Sequence, residues 1–175
     1  MITNITANIN KTIINKIISH KTEMVDGPIN DYKISSSIRD SKISWINENE
    51  VLRYLFNIIN ENNQKTWLMK LTDIEPIQYA EYGKGSLYNW HRDIRDEPYS
   101  NGLVRKISFS IILDDIFTGG EFDIDVYNPS SKKRFFTFDS SKTNTIIFHS
   151  NLWHRVRPVK SGIRKSIVGW VLGPA

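Results

Sequence analysis

The sequence predicts a mainly β fold with helices gathered at the N-terminus: a sandwich, a barrel or a jelly roll. Three observations predict it. Nine short strand-like runs recur between residues 66 and 172, at the roughly 8–12-residue spacing of such folds. Isoleucine outnumbers leucine 26 to 9, and β-branched side chains favour strands. Residues 1 to about 65 differ in texture, being polar with helical periodicity.

In chain order, a short helix is expected over Lys11 to Ser19, and Lys33 to Ser37 fits a strand or a loop. Asn47-Glu48-Asn49-Glu50 precedes Val51, Leu52, Leu55, Ile58 and Ile59, an amphipathic spacing with acids in the first turn. Asn60 to Gln64 would end that helix. The strand-like runs lie near Trp67–Leu71, Ile77–Tyr82, Leu87–Asp93, Lys106–Leu113, Glu121–Val126, Arg134–Phe138, Thr145–Phe148, Val156–Val159 and Arg164–Leu172. Thr118-Gly119-Gly120, Asn128-Pro129-Ser130-Ser131 and Asp139-Ser140-Ser141 supply turns between several of them. A length of 175 residues fits one domain, with 1–65 as a helical support region and 66–175 as the strand-rich core.

Composition excludes several classes. With no cysteine there is no disulfide scaffold, thiol nucleophile or thiolate metal site. No apolar run approaches the ~20 residues of a membrane span, and the N-terminal residues do not read as a signal peptide. A soluble cytoplasmic protein is the expectation. Abundant Ile, Asn and Lys, all with A/T-rich codons, suggest an AT-rich bacterial or viral source. The net charge of +4 permits a polyanionic partner without arguing for one.

The chain has four histidines, His20, His91, His149 and His154. On a strand, His91 and Asp93 would share a face, so an imidazole and a carboxylate could serve one metal ion. A further imidazole from a neighbouring strand would complete a two-histidine, one-carboxylate triad, the arrangement of non-haem Fe(II) oxygenases. A bare His-x-Asp pair is common by chance, and a solvated strand accounts for it equally well.

Context decides between them. Tyr82-x-x-Gly85-x-x-Tyr88-x-x-His91-x-Asp93, Gly119-Gly120-Glu121-Phe122, His154-x-Val156-x-Pro158-Val159-x-x-Gly162-x-Arg164 and Trp170 follow one another across residues 75 to 172. In these pieces the sequence resembles the 2-oxoglutarate- and Fe(II)-dependent dioxygenases, and most closely their prolyl 4-hydroxylase-like branch with its small bacterial and phage-type hydroxylases. The resemblance implies a double-stranded β-helix, or jelly roll. It implies His91, Asp93 and His154 as iron ligands, with His149 as a competitor that lacks the Val-x-Pro-Val context. It implies Arg164 as the cation for the distal carboxylate of 2-oxoglutarate, assisted by Ser166, with Tyr82 lining the same pocket. Tyr88, Trp90 and Trp153 would lie on the substrate side, while Trp170 fits core packing. Arg157 looks like a rim charge. Ile112 stands where many members of the branch carry a pocket tyrosine.

The implied cofactors are Fe(II), 2-oxoglutarate and O2, with ascorbate as a reductant. The implied reaction hydroxylates a C–H bond while 2-oxoglutarate becomes succinate and CO2. Asp93 argues against a halogenase, which would lack that carboxylate. A peptidyl proline or other protein residue is the first expectation for substrate, and a free amino acid or small metabolite the second. Nucleic acid is disfavoured, because Trp170 rather than a second arginine lies six residues past Arg164. A homo-oligomer remains open. Two other classes share the fold: a cupin-like zinc hydrolase and a non-enzymatic jelly-roll binding module.

Overall fold

In the computed structural model, residues 4–27, 38–114, 116–126, 134–139 and 142–175 are described. The elements run β1 (Asn4–Ala7), α1 (Lys11–Ser19), β2 (Val25–Asp26), β3 (Lys42–Ile46), α2 (Asn49–Thr66), β4 (Asp73–Ile74) and β5 (Ile77–Tyr82). They continue with β6 (Tyr88–His91), β7 (Leu103–Ile112), β8 (Phe117–Gly119), β9 (Phe122–Asp125), β10 (Phe135–Thr137) and β11 (Thr145–His149). β12 (His154–Val156), β13 (Val159–Gly162) and β14 (Arg164–Pro174) complete the chain. The expected segment at Lys33–Ser37 and the turn at Asn128–Ser131 lie outside the described residues.

The larger sheet has the order β1-β11-β7-β14-β5-β3-β2, with β4 also on β14; the smaller is β10-β9-β12-β6. Among the described residues every pairing is antiparallel, β13–β8 included. One core lies between the larger sheet and the helices, built on Leu55, Ile59, Ile77, Phe109 and Ile147. A second lies between the sheets, built on Tyr82, Ile112, Phe122, Ile124, Phe148 and Val156. Strand alternation sends neighbouring side chains of β7 and β11 to opposite cores.

Both expected helices form. Asn10 caps α1, its side chain accepting from Thr12 N at 2.7 Å, and Ile14 and Ile17 are buried. α2 buries Val51, Leu52, Leu55, Ile59 and Asn63 and extends to Thr66, past the expected stop in its polar stretch. Asn63 is fully buried: its Oδ1 accepts from Met69 N at 3.0 Å, and its Nδ2 donates to Met69 O at 2.8 Å. This clamp folds the chain back after the helix, so Trp67–Leu71 is not the expected strand. Asn63→Ala is expected to cost roughly 1–3 kcal/mol for each Met69 backbone group left unpaired, read by denaturant unfolding.

The N-terminal part is less purely helical than its texture suggests. β1 pairs with β11 and β3 pairs with β5, so it extends the larger sheet on both sides. The expected Val156–Val159 run is divided between β12 and β13 around Pro158, whose missing N–H interrupts a ladder.

Candidate metal and cosubstrate site

β12 lies between β9 and β6, and its register puts His154 directly opposite His91. Their ring centroids are 4.1 Å apart. β6 ends at His91, and Asp93 lies in the bend beyond it, so the two do not share a strand face as alternation predicted. The bend is pinned instead: Asp93 N donates to Ser150 O at 3.0 Å, and Arg105 Nη1 donates to Asp93 O at 3.3 Å. The carboxylate still reaches the histidines, with Oδ1 3.7 Å from His91 Nε2 and Oδ2 3.4 Å from His154 Nε2. One ligand atom from each residue falls within 4.8 Å of the others.

The hydrogen bonds set the tautomers. His91 Nδ1 is 2.8 Å from Asn89 O, and His154 Nδ1 is 2.9 Å from Leu152 O. A carbonyl oxygen only accepts, so each Nδ1 carries a proton and each Nε2 is the ring atom left to meet a metal. Burial, reinforced by His154, pulls the His91 imidazole down to about 3, leaving it neutral near neutral pH. Burial pushes Asp93 up, but His154, His91 and Arg105 outweigh it and hold the carboxyl below its usual value. Asp93 Oδ2 is buried without a hydrogen-bond partner. Two imidazole Nε2 atoms and a carboxylate therefore converge in a largely buried place, a donor set that fits a divalent cation.

A cavity of about 600 Å³ contains this cluster and also Tyr82, Tyr88, Arg164, Ser166 and Trp170. Arg164 opposes Tyr82 across β14 and β5 and is only 1% exposed. Its Nε donates to Gly120 O at 3.0 Å and its Nη1 to Ser166 Oγ at 3.1 Å, while Nη2 is buried without a partner. No carboxylate among the described residues pairs with it. Burial lowers Arg164 to about 10, partly offset by Tyr82, so it stays charged near neutral pH. A buried guanidinium with an unused donor fits an incoming carboxylate. Gly120 makes room for it, with φ +64°, and a Cβ there would sit 2.9 Å from Arg164 Cδ.

Other expected residues fall elsewhere. His149 faces the helical side of β11, edge-on to Trp67 with centroids 4.8 Å apart. Trp90 and Trp153 do not line the cavity: Trp90 packs on Phe135 at 4.9 Å, and Trp153 is 48% exposed beneath Arg92. Arg155 and Arg157 both donate to the buried Asp123 carboxylate, at 2.8 and 2.7 Å, and neither reaches the cavity. Ile112 packs between the sheets, and Ser110 from the same strand lines the cavity. Trp170 is buried as core packing predicted, but on the cavity wall with Nε1 unpartnered.

Arg105 escaped the sequence reading. Its Nε and Nη2 grip Glu75 at 2.7 and 2.6 Å, and its Cζ stands 3.9 Å from the Trp170 ring centroid. Alternation would send it to the helical side with Ile107. A bulge intervenes, because Val171 opposes Ile107 whereas Leu172 opposes Arg105, and Arg105 turns to the cavity. Arg39 was also missed, since nothing local marks a lone arginine after Ile38 as a cavity residue.

Fold and site together define a jelly-roll protein with a buried His-Asp-His cluster beside an unpaired arginine. The family model described as the 2OG-Fe(II) oxygenase superfamily matches residues 77–172, and the chain belongs to that superfamily. It is 32% identical over 97 residues to a PKHD-type hydroxylase of Synechococcus sp. (strain CC9902), covering 54% of this chain and 39% of that relative. Matches to curated relatives span 39–51% of their lengths. A Pseudomonas putida prolyl-4-hydroxylase structure superposes with a TM-score of 0.71 at 18% identity, covering 96% of this chain and 90% of that one. The viral collagen prolyl hydroxylase of Paramecium Bursaria Chlorella virus-1 gives 0.65 at 21% identity, covering 97% and 94%. At these identities the structural likeness shows the fold. No helix among the described residues is long and apolar enough to cross a membrane.

Proposed function

We propose that the chain is an Fe(II)- and 2-oxoglutarate-dependent hydroxylase acting on a residue of a protein, with a peptidyl proline as first candidate. Residues 66–175 form the catalytic core and residues 1–65 support it. One observation carries the reading: the His91–Asp93–His154 donor set and the unpaired Arg164 guanidinium open into the same cavity. His91, Asp93 and His154 would hold the iron, and Arg164 with Ser166 would hold the distal carboxylate of 2-oxoglutarate. Bound there, iron supplies the O2 activation that no side chain provides.

The chain's own residues do the rest. The carbonyls of Asn89 and Leu152 hold the two Nδ1 atoms and turn both Nε2 atoms toward the metal position. Ser166 Oγ already accepts from Arg164, which leaves its hydroxyl proton free for a carboxylate oxygen. Phe122, whose ring centroid is 5.5 Å from that of His154, and Val156 close the cavity with apolar surface and exclude water. The other wall holds Trp45, 41% exposed, with Trp170 and Tyr88. An exposed aromatic beside a deep reactive centre suits one side chain of a larger substrate, and the prolyl hydroxylase neighbours support a peptide.

The overall reaction balances as substrate C–H, 2-oxoglutarate and O2 giving substrate C–OH, succinate and CO2. The test incubates the chain with Fe(II), 2-oxoglutarate, ascorbate and proline-containing peptides. Succinate is followed by NMR and peptide mass by mass spectrometry. Succinate requiring both Fe(II) and O2, with one added oxygen atom on a peptide, is expected. Oxygen added only to a free amino acid would replace the peptide assignment. No succinate from iron-loaded protein would overturn the reaction class.

A further inference from the structure

Residues 38–46 lie outside the 77–172 span of the family match, yet they put Arg39 on the cavity wall. Arg39 is 6% exposed. Its Nε donates to Ser41 Oγ at 2.9 Å and its Nη2 to Gln78 Oε1 at 3.1 Å. Its Cζ stands 4.7 Å from the centroid of the Tyr88 ring. Tyr88 in turn stacks on His91, with centroids 3.5 Å apart and planes 11° from parallel. The imidazole covers one face of the phenol, so the guanidinium takes the other. The backbones are joined as well, through an Arg39–Tyr88 bridge and an Asn89 N–H donated to Ile38 O at 2.7 Å.

The Nδ1 bond to Asn89 fixes one point of the His91 ring, but the terminal torsion of a histidine is broad. A flat contact on the ring restricts that torsion, provided the contacting ring is itself held. We propose that Arg39 is a positioning residue: acting through Tyr88, it fixes the His91 imidazole plane so that Nε2 faces Asp93 and His154. The inference rests on the reading of His91 as a metal ligand. It also gives Gly27 a reason, since a Cβ there would lie 2.8 Å from Arg39 Nε and 2.6 Å from Ser41 Oγ.

The test titrates the full chain with Co(II), whose visible absorption reports ligand geometry. Arg39→Ala is expected to weaken Co(II) binding about three- to thirtyfold and to alter the band shape, as loss of outer support to a ligand does. Arg39→Lys keeps a cation over the ring and should recover most of the loss. Gly27→Ala displaces the guanidinium without removing a polar group and should move both readouts in the same direction. Tyr88→Leu removes the intermediary, and on that background Arg39→Ala should add less than about twofold. Should Arg39→Ala not fold, the Arg39→Lys and Gly27→Ala variants decide by the same readouts. Unchanged affinity and band shape in the folded variants, or a full Arg39 effect without the Tyr88 ring, overturns the proposal. A wild-type chain that takes up no Co(II) overturns the metal-site reading itself, and the proposal with it.

Discussion

Asp93→Ala is expected to abolish iron binding and turnover, and to make the metal-free protein less stable than the wild type near neutral pH. Asp93 is the anionic member of the cluster, and His91 and His154 are imidazole donors held by backbone carbonyls. Without it, metal affinity should fall by more than the roughly 10- to 100-fold typical of losing an outer partner. The stability effect has the same sign. In the metal-free state the groups around Asp93 hold its carboxyl below the usual value, so its charge adds stability near neutral pH that is lost as pH falls, and the truncation removes that contribution. Metal analysis and unfolding of chelator-treated protein measure the two effects. Iron uptake at wild-type affinity would remove Asp93 from the site.

Arg164→Ala should weaken 2-oxoglutarate binding by roughly one to three powers of ten with iron binding intact, because a bidentate charged contact is worth about 1.5–3 kcal/mol or more when desolvated. Arg164→Lys should be milder, keeping charge but losing the fork. Ser166→Ala should cost about 1 kcal/mol, one hydrogen bond. No substitute stands ready in Arg155 or Arg157, because Asp123 holds both. Lys165 is on the opposite face of β14 from Arg164. Calorimetric titration under anaerobic conditions gives the affinities. Wild-type affinity in Arg164→Ala would shift the assignment to Arg105 or Arg39, which line the same cavity.

How much of this was legible in the sequence follows from how local each signal is. The helices were legible because apolar spacing is a local signal. The β-rich class was legible from alternation and turns, and the run at Arg164–Leu172 became the central strand β14. β1 and β3 were missed because four or five residues carry little periodicity; pairing with β11 and β5 makes them strands. The last turns of α2 were missed because a buried Asn63 reads as a polar stop until Met69 folds back onto it. At the site, His91, Asp93, His154, Arg164 and Ser166 stood out through motif order, and the fold brings them to one cavity. Strand alternation placed Asp93 wrongly in detail, since a backbone clamp from Ser150 rather than a strand aims it. Arg105 needed the bulge opposite Val171 and Leu172, and Arg39 needed the tertiary stack on Tyr88. Neither has a signature in linear sequence.

In the proposed function one cavity holds iron on His91, Asp93 and His154 and 2-oxoglutarate on Arg164. An anaerobic titration of the Fe(II)-loaded chain with 2-oxoglutarate, followed by visible absorption, tests both halves at once. A charge-transfer band arises only when the keto acid binds the iron itself. The band should appear, saturate at one 2-oxoglutarate per chain, be absent in Asp93→Ala, and need higher 2-oxoglutarate in Arg164→Ala. One tightly bound iron per chain with no band at any 2-oxoglutarate concentration would contradict the account.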